Sequence, residues 1–106
     1  MPKYMITGSY TVEGLRGVLK EGGTGRRKAV EDAVKAMGGH LEAFYFAFGD
    51  NDVLGIVDVP DNVSAATLSM GIAATGTVNT KTTVLLTPEE VDRATKKVLA
   101  FRAAGQ

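Results

Sequence analysis

The chain has no cysteine, no tryptophan, three prolines and one histidine among its 106 residues. Without cysteine there is no thiolate nucleophile, no cysteine-ligated zinc and no disulfide framework, which agrees with a reducing compartment. His40, the one histidine, is too few to build a multi-histidine metal or haem centre within a single chain, and neither a metal nor a cofactor is expected. A surplus of either charge is missing too. Twelve basic residues balance twelve acidic ones, so no net field holds a polyanion, and nucleic acid is not an expected partner. No apolar run approaches the ~18 residues of a membrane span, and the first eight residues lack a charged region followed by an apolar stretch. The chain therefore reads as soluble and cytoplasmic, with no membrane partner.

No Pro/Ser-rich linker or internal repeat divides the chain, so residues 1–106 read as one domain, large enough for a core without covalent or metal staples. Lys3 to Tyr10 alternates β-branched, aromatic and small residues, which predicts a strand. Thr11 offers a hydroxyl cap to a helix carrying Leu15, Val18 and Leu19, and Gly22-Gly23-Thr24-Gly25 interrupts it. A second helical run places Ala29, Val30, Ala33, Val34 and Met37 on one face and ends at Gly38-Gly39. His40 to Phe48 and Val53 to Val59 read as a hairpin around Gly49-Asp50-Asn51-Asp52. After Pro60-Asp61-Asn62 a helix is expected over Val63 to Ala74, ended by Gly76, and then a strand over Thr77 to Leu86. Thr87, Pro88 and Glu90 form a capping-box start for a last helix, with Val91, Ala94, Val98 and Phe101 as its buried stripe.

This order predicts an α+β fold: a ferredoxin-like βαββαβ unit with an interrupted first helix and an extra C-terminal helix. Its four-stranded antiparallel sheet has the first and third strands at the centre and the two main helices on one side. A hairpin centred on Asp50-Asn51 sets Phe48 opposite Val53, Tyr45 opposite Ile56 and Ala43 opposite Asp58. Phe44, Phe46, Phe48, Val53, Val57 and Val59 then share the helix-covered face. Leu41, Ala43, Tyr45, Ala47, Leu54, Ile56 and Asp58 share the other.

Parity adds Met5, Thr7 and Ser9 from the first strand to that open face, and Asn79, Lys81, Thr83 and Leu85 from the fourth. An apolar surface of several hundred Å² is seldom left bare on a monomer. A second copy of the chain facing the first would close the two sheets into a dimeric α+β barrel, with room for a small-molecule ligand near Thr7, Ser9, Tyr45, Asp58, Lys81 and Thr83.

Several segments together resemble one family. Gly-Ser-Tyr-Thr at 8 to 11, Glu-Gly-Gly-Thr-Gly-Arg-Arg at 21 to 27, Phe-Tyr-Phe-Ala-Phe-Gly-Asp at 44 to 50, Pro-Asp-Asn-Val-Ser-Ala-Ala at 60 to 66 and Lys-Thr-Thr-Val-Leu-Leu-Thr-Pro-Glu-Glu at 81 to 90 resemble the GYD domain family across nearly the whole chain. The resemblance implies a dimeric α+β barrel of ferredoxin-like halves and brings no chemistry with it. The hairpin departs from the pattern, with Asn51 where the family's tyrosine is expected.

Among individual residues Asp58 stands out, because a carboxylate within an apolar strand must be paired, hydrogen-bonded or protonated. It would serve as a general base, or it sits at a strand end bonded to a neighbour. Tyr45 would stack on a ligand or simply fill an interface, and Lys81 would hold an anionic group or guard a sheet edge. These three are the candidate catalytic residues. Gly23, Gly25, Arg26 and Arg27 would offer amides and guanidinium groups to an anion at a helix start, or they form a flexible break between two helices whose arginines are solvated or pair across subunits; the GxxxxGK[ST] spacing of a P-loop is absent. Three functions stay open: a homo-oligomeric barrel binding a small, partly apolar molecule, a metal-free enzyme for proton transfer or oxygenation, and a structural protein whose interface is filled.

Overall fold

The computed structural model describes residues 1–106 as seven elements in the order β1 (Lys3–Tyr10), α1 (Val12–Ala36), β2 (His40–Phe46), β3 (Val53–Asp58), α2 (Asn62–Ala73), β4 (Val78–Leu85) and α3 (Pro88–Thr95). All strand pairs are antiparallel, in the order β2-β3-β1-β4, so the first and third strands are central and the sheet is open at both edges. No helix is long and apolar enough to cross a membrane.

Helix α1 starts where it does because Thr11 accepts a hydrogen bond from the Gly14 amide at 3.2 Å. The start lies so close to the loop before β4 that a Cβ on Gly14 would stand 1.8 Å from the Thr77 carbonyl oxygen. At Gly22 the backbone turns to φ 78° and ψ 171°, a region essentially confined to glycine, and the helix bends there as the glycine run predicts. Beyond the bend Val34 is fully buried and joins Tyr4, Val57, Val59, Ala65 and Leu68 in the core. Both main helices therefore cover one side of the sheet. Asp61 caps α2 through the Ser64 amide at 2.8 Å, and Thr87 and Glu90 close the capping box of α3.

Three expectations are corrected. Phe46, not Phe48, stands opposite Val53, with Tyr45 opposite Leu54 and Ala43 opposite Ile56. The two-residue shift preserves the faces. It arises because the connection spans six residues, closed by the Ala47 amide on the Asp52 carbonyl at 2.9 Å. Phe48 falls in this connection at φ 53° and stacks on Phe46 with ring centroids 5.7 Å apart.

The ladder also shifts between Leu41 and Ala43. A bulge changes which side the preceding residues face, so Leu41 packs against the core instead of joining the open face.

The third correction concerns α3, which ends at Thr95 with no buried residue. Val98 and Phe101 lie beyond it, 98% and 82% exposed, so the expected stripe has no surface to cover within its own chain. The molecule is accordingly extended. Its radius of gyration is 16.8 Å, whereas a compact chain of this length has about 13 Å.

Candidate ligand site on the sheet

The open face is built by ladder register. In β1, Met5 lies between Ile56 and Thr83, and Thr7 lies between Leu54 and Lys81, while Ser9 pairs with Asn79. Residues directly opposite in an antiparallel pair point to the same side, so these side chains form one surface on the side away from α1 and α2. Thr7 is buried at 8% exposure, and its hydroxyl reaches the Lys81 carbonyl at 3.5 Å. The Ser9 hydroxyl donates to the Asp50 carbonyl at 3.1 Å. Thr83 and Lys81 are exposed, and Tyr45 is 65% exposed.

Asp58 lies at the far end of this face. Its carboxylate accepts a hydrogen bond from the Lys3 ammonium at 2.8 Å, and the same ammonium donates to Glu42 at 3.0 Å. The Asp58 and Glu42 hydrogen bonds hold the Lys3 pKa above its ordinary value. Asp58 registers with Lys3 and Lys81 with Thr7. Four residues along β1, about 13 Å, and two strand spacings across the sheet, roughly 10 Å, therefore separate Asp58 from Lys81 within one chain.

Sequence patterning missed Lys3. Its signal was available, since the start of β1 must face the end of an antiparallel β3. His40 is exposed and registers with Asp58. No three histidine, aspartate or glutamate side chains converge as metal ligands would.

The four glycine and arginine candidates fall on the second part of α1. Gly23 packs so close to the Phe46 ring that a Cβ would stand 3.1 Å from it, and Gly25 stands over Glu21. Arg27 lies 3.7 Å from Glu31 and lines a shallow groove of about 280 Å³ with Gly23 and Tyr45. Arg26 points elsewhere, pairing with Glu21 at 3.3 Å beside the Tyr10 hydroxyl. Burial pushes that hydroxyl above the ordinary tyrosine range, against the opposing pull of Arg26.

The pattern seen in these segments is matched by a family model described as the GYD domain, over residues 4–95. The chain belongs to the GYD domain family. The match runs from β1 through the end of α3, so the GYD domain includes both the open sheet face and the two helices behind it. No curated protein and no solved structure matches the chain.

Proposed function

We propose that this GYD domain works as a homodimer in which two ferredoxin-like halves pack their open sheet faces together as an α+β barrel. The shared interface binds a small, partly apolar molecule. The observation that carries the proposal is an apolar face with no helix over it: Met5, Ala43, Leu54 and Ile56 lie there between the polar groups.

The chain exposes 7272 Å², whereas a compact monomer of its mass exposes about 5,700 Å². The excess belongs to each chain and includes the exposed C-terminal segment around Val98 and Phe101 as well as the sheet face. Only 12 of 106 residues are buried, a small core that association would enlarge.

Binding is favoured over proton transfer because Asp58 already holds the Lys3 ammonium, which leaves it poorly suited to act as a free base. Tyr45, Lys81 and Thr83, exposed in one chain, are the groups available to contact a ligand between two. Light scattering on the purified protein tests the association. A dimer mass for the natural chain and a monomer mass for a normally folded Ile56→Lys variant are expected. A natural chain that stays monomeric at every concentration overturns the proposal. Native mass spectrometry of the dimer reports any retained small molecule in the same measurement.

A further inference from the structure

The largest groove in the molecule lies on the other side of the sheet. Helices α1 and α2 rest mainly on the strands and pack little against each other. A groove of about 550 Å³ runs between them. Small side chains make the gap, with Ala33 and Ala36 on α1 facing Gly71 on α2 and Thr75 in the turn after it.

A partly open cavity of about 50 Å³ adjoins the groove and shares Arg26, Leu68 and Ile72 with it. A single water needs roughly 10–15 Å³ by the same measure, so the cavity admits more than one heavy atom. Its walls are largely aliphatic and aromatic, including Ile6, Val30 and Phe44, with Tyr10, Thr80 and Arg26 among them, a lining that suits a hydrocarbon body beside a polar head.

Arg26 is the only charged residue lining either space. It follows the bend at Gly22, which re-aims the second part of α1. Glu21 engages one of its donors and the Tyr10 hydroxyl lies against it, while a guanidinium has five donors in a planar fork suited to a carboxylate. The nearby Glu21 carboxylate disfavours a ligand carrying a second negative charge. An apolar slot with one cation at its wall therefore selects a monoanion with a hydrocarbon body.

We propose that the groove between α1 and α2 binds an apolar monocarboxylate, its carboxylate on Arg26 and its hydrocarbon end in the cavity beside Leu68 and Ile72. This site is separate from the sheet-face interface and does not depend on it.

Octanoate is the probe and 1-octanol its neutral counterpart, each titrated into the full chain by calorimetry with amide chemical shifts as a second readout. One octanoate per chain is expected, with shifts at Leu68 and Ile72. Arg26→Gln weakens octanoate about tenfold or more, as loss of a charged hydrogen bond predicts, and leaves octanol unchanged. Gly71→Leu fills the groove: a Cβ there meets nothing within 4 Å, and leucine is the better helix former, so this variant folds. It abolishes binding of both probes. Absence of saturable octanoate binding, equal octanoate affinity in Arg26→Gln, or unchanged binding in Gly71→Leu would each overturn the assignment.

Discussion

The Lys3 ammonium stands 2.8 Å from the Asp58 carboxylate, across the two central strands, and this pair leaves Lys81 without an acidic partner in its own chain. Asp58 is the less exposed member, at 16% of its side-chain surface, so it depends on Lys3 more than Lys3 depends on it. A double-mutant cycle with Lys3→Met and Asp58→Asn, read by urea denaturation, shows a clear favourable coupling. The same cycle with Lys81→Met and Asp58→Asn shows coupling within error in the monomeric Ile56→Lys background. Strong coupling to Lys81 there would mean that the register of β1 is wrong.

Close backbone approaches make two glycines irreplaceable and leave a third free. A Cβ on Gly14 would stand 1.8 Å from the Thr77 carbonyl oxygen, and one on Gly39 would stand 2.2 Å from the Asp58 carbonyl oxygen. Gly14→Ala and Gly39→Ala each lower the unfolding free energy by about 3 kcal/mol, because backbone cannot step aside as a side chain does. Gly17 has open space around it within α1, and Gly17→Ala raises stability by roughly 0.5–1 kcal/mol through helix propensity. Denaturant midpoints of the three variants check the contrast.

Two helix caps make the fold sensitive to acid. The Ser64 backbone amide holds the Asp61 carboxyl below its ordinary value of 3.8, and the Thr87 backbone amide does the same for Glu90 against 4.5. Each group is ionised more readily folded than unfolded. Its contribution is complete above the unfolded value and disappears as pH falls through the lower, folded one. Stability therefore declines on acidification below about pH 4.5. Asn and Gln keep the capping hydrogen bonds without titrating. Asp61→Asn with Glu90→Gln flattens this decline, measured by far-UV circular dichroism along a pH series. An unchanged acid profile would remove the caps as its source.

Alternation made most of the sheet legible. Met5, Thr7 and Ser9 share a face with Asn79, Lys81 and Thr83 because strand parity leaves no other arrangement once β1 and β4 pair. The Thr87, Pro88 and Glu90 signature was equally direct, since a capping box is a local bonding pattern. Leu41 was misplaced because the bulge before Ala43 changes parity without a marker in composition.

Val98 and Phe101 followed helical spacing, yet spacing does not say where a helix stops or whether any surface awaits it. Arg26 and Arg27 were read as one anion-binding group. Successive helical residues point about 100° apart, and the two arginines consequently serve different grooves. The interhelical space itself depends on how far apart two helices settle on a sheet, a tertiary distance that Ala33, Ala36 and Gly71 permit but do not announce.

The claim that matters most is which surface meets the second copy. An isotope-filtered nuclear Overhauser measurement on dimers mixed from labelled and unlabelled chains tests it directly. Cross-chain contacts from the methyl groups of Met5, Leu54 and Ile56 are predicted. Cross-chain contacts confined to Leu15 and Leu19 of α1, or to Leu99 in the C-terminal segment, would contradict it and leave the sheet face facing water.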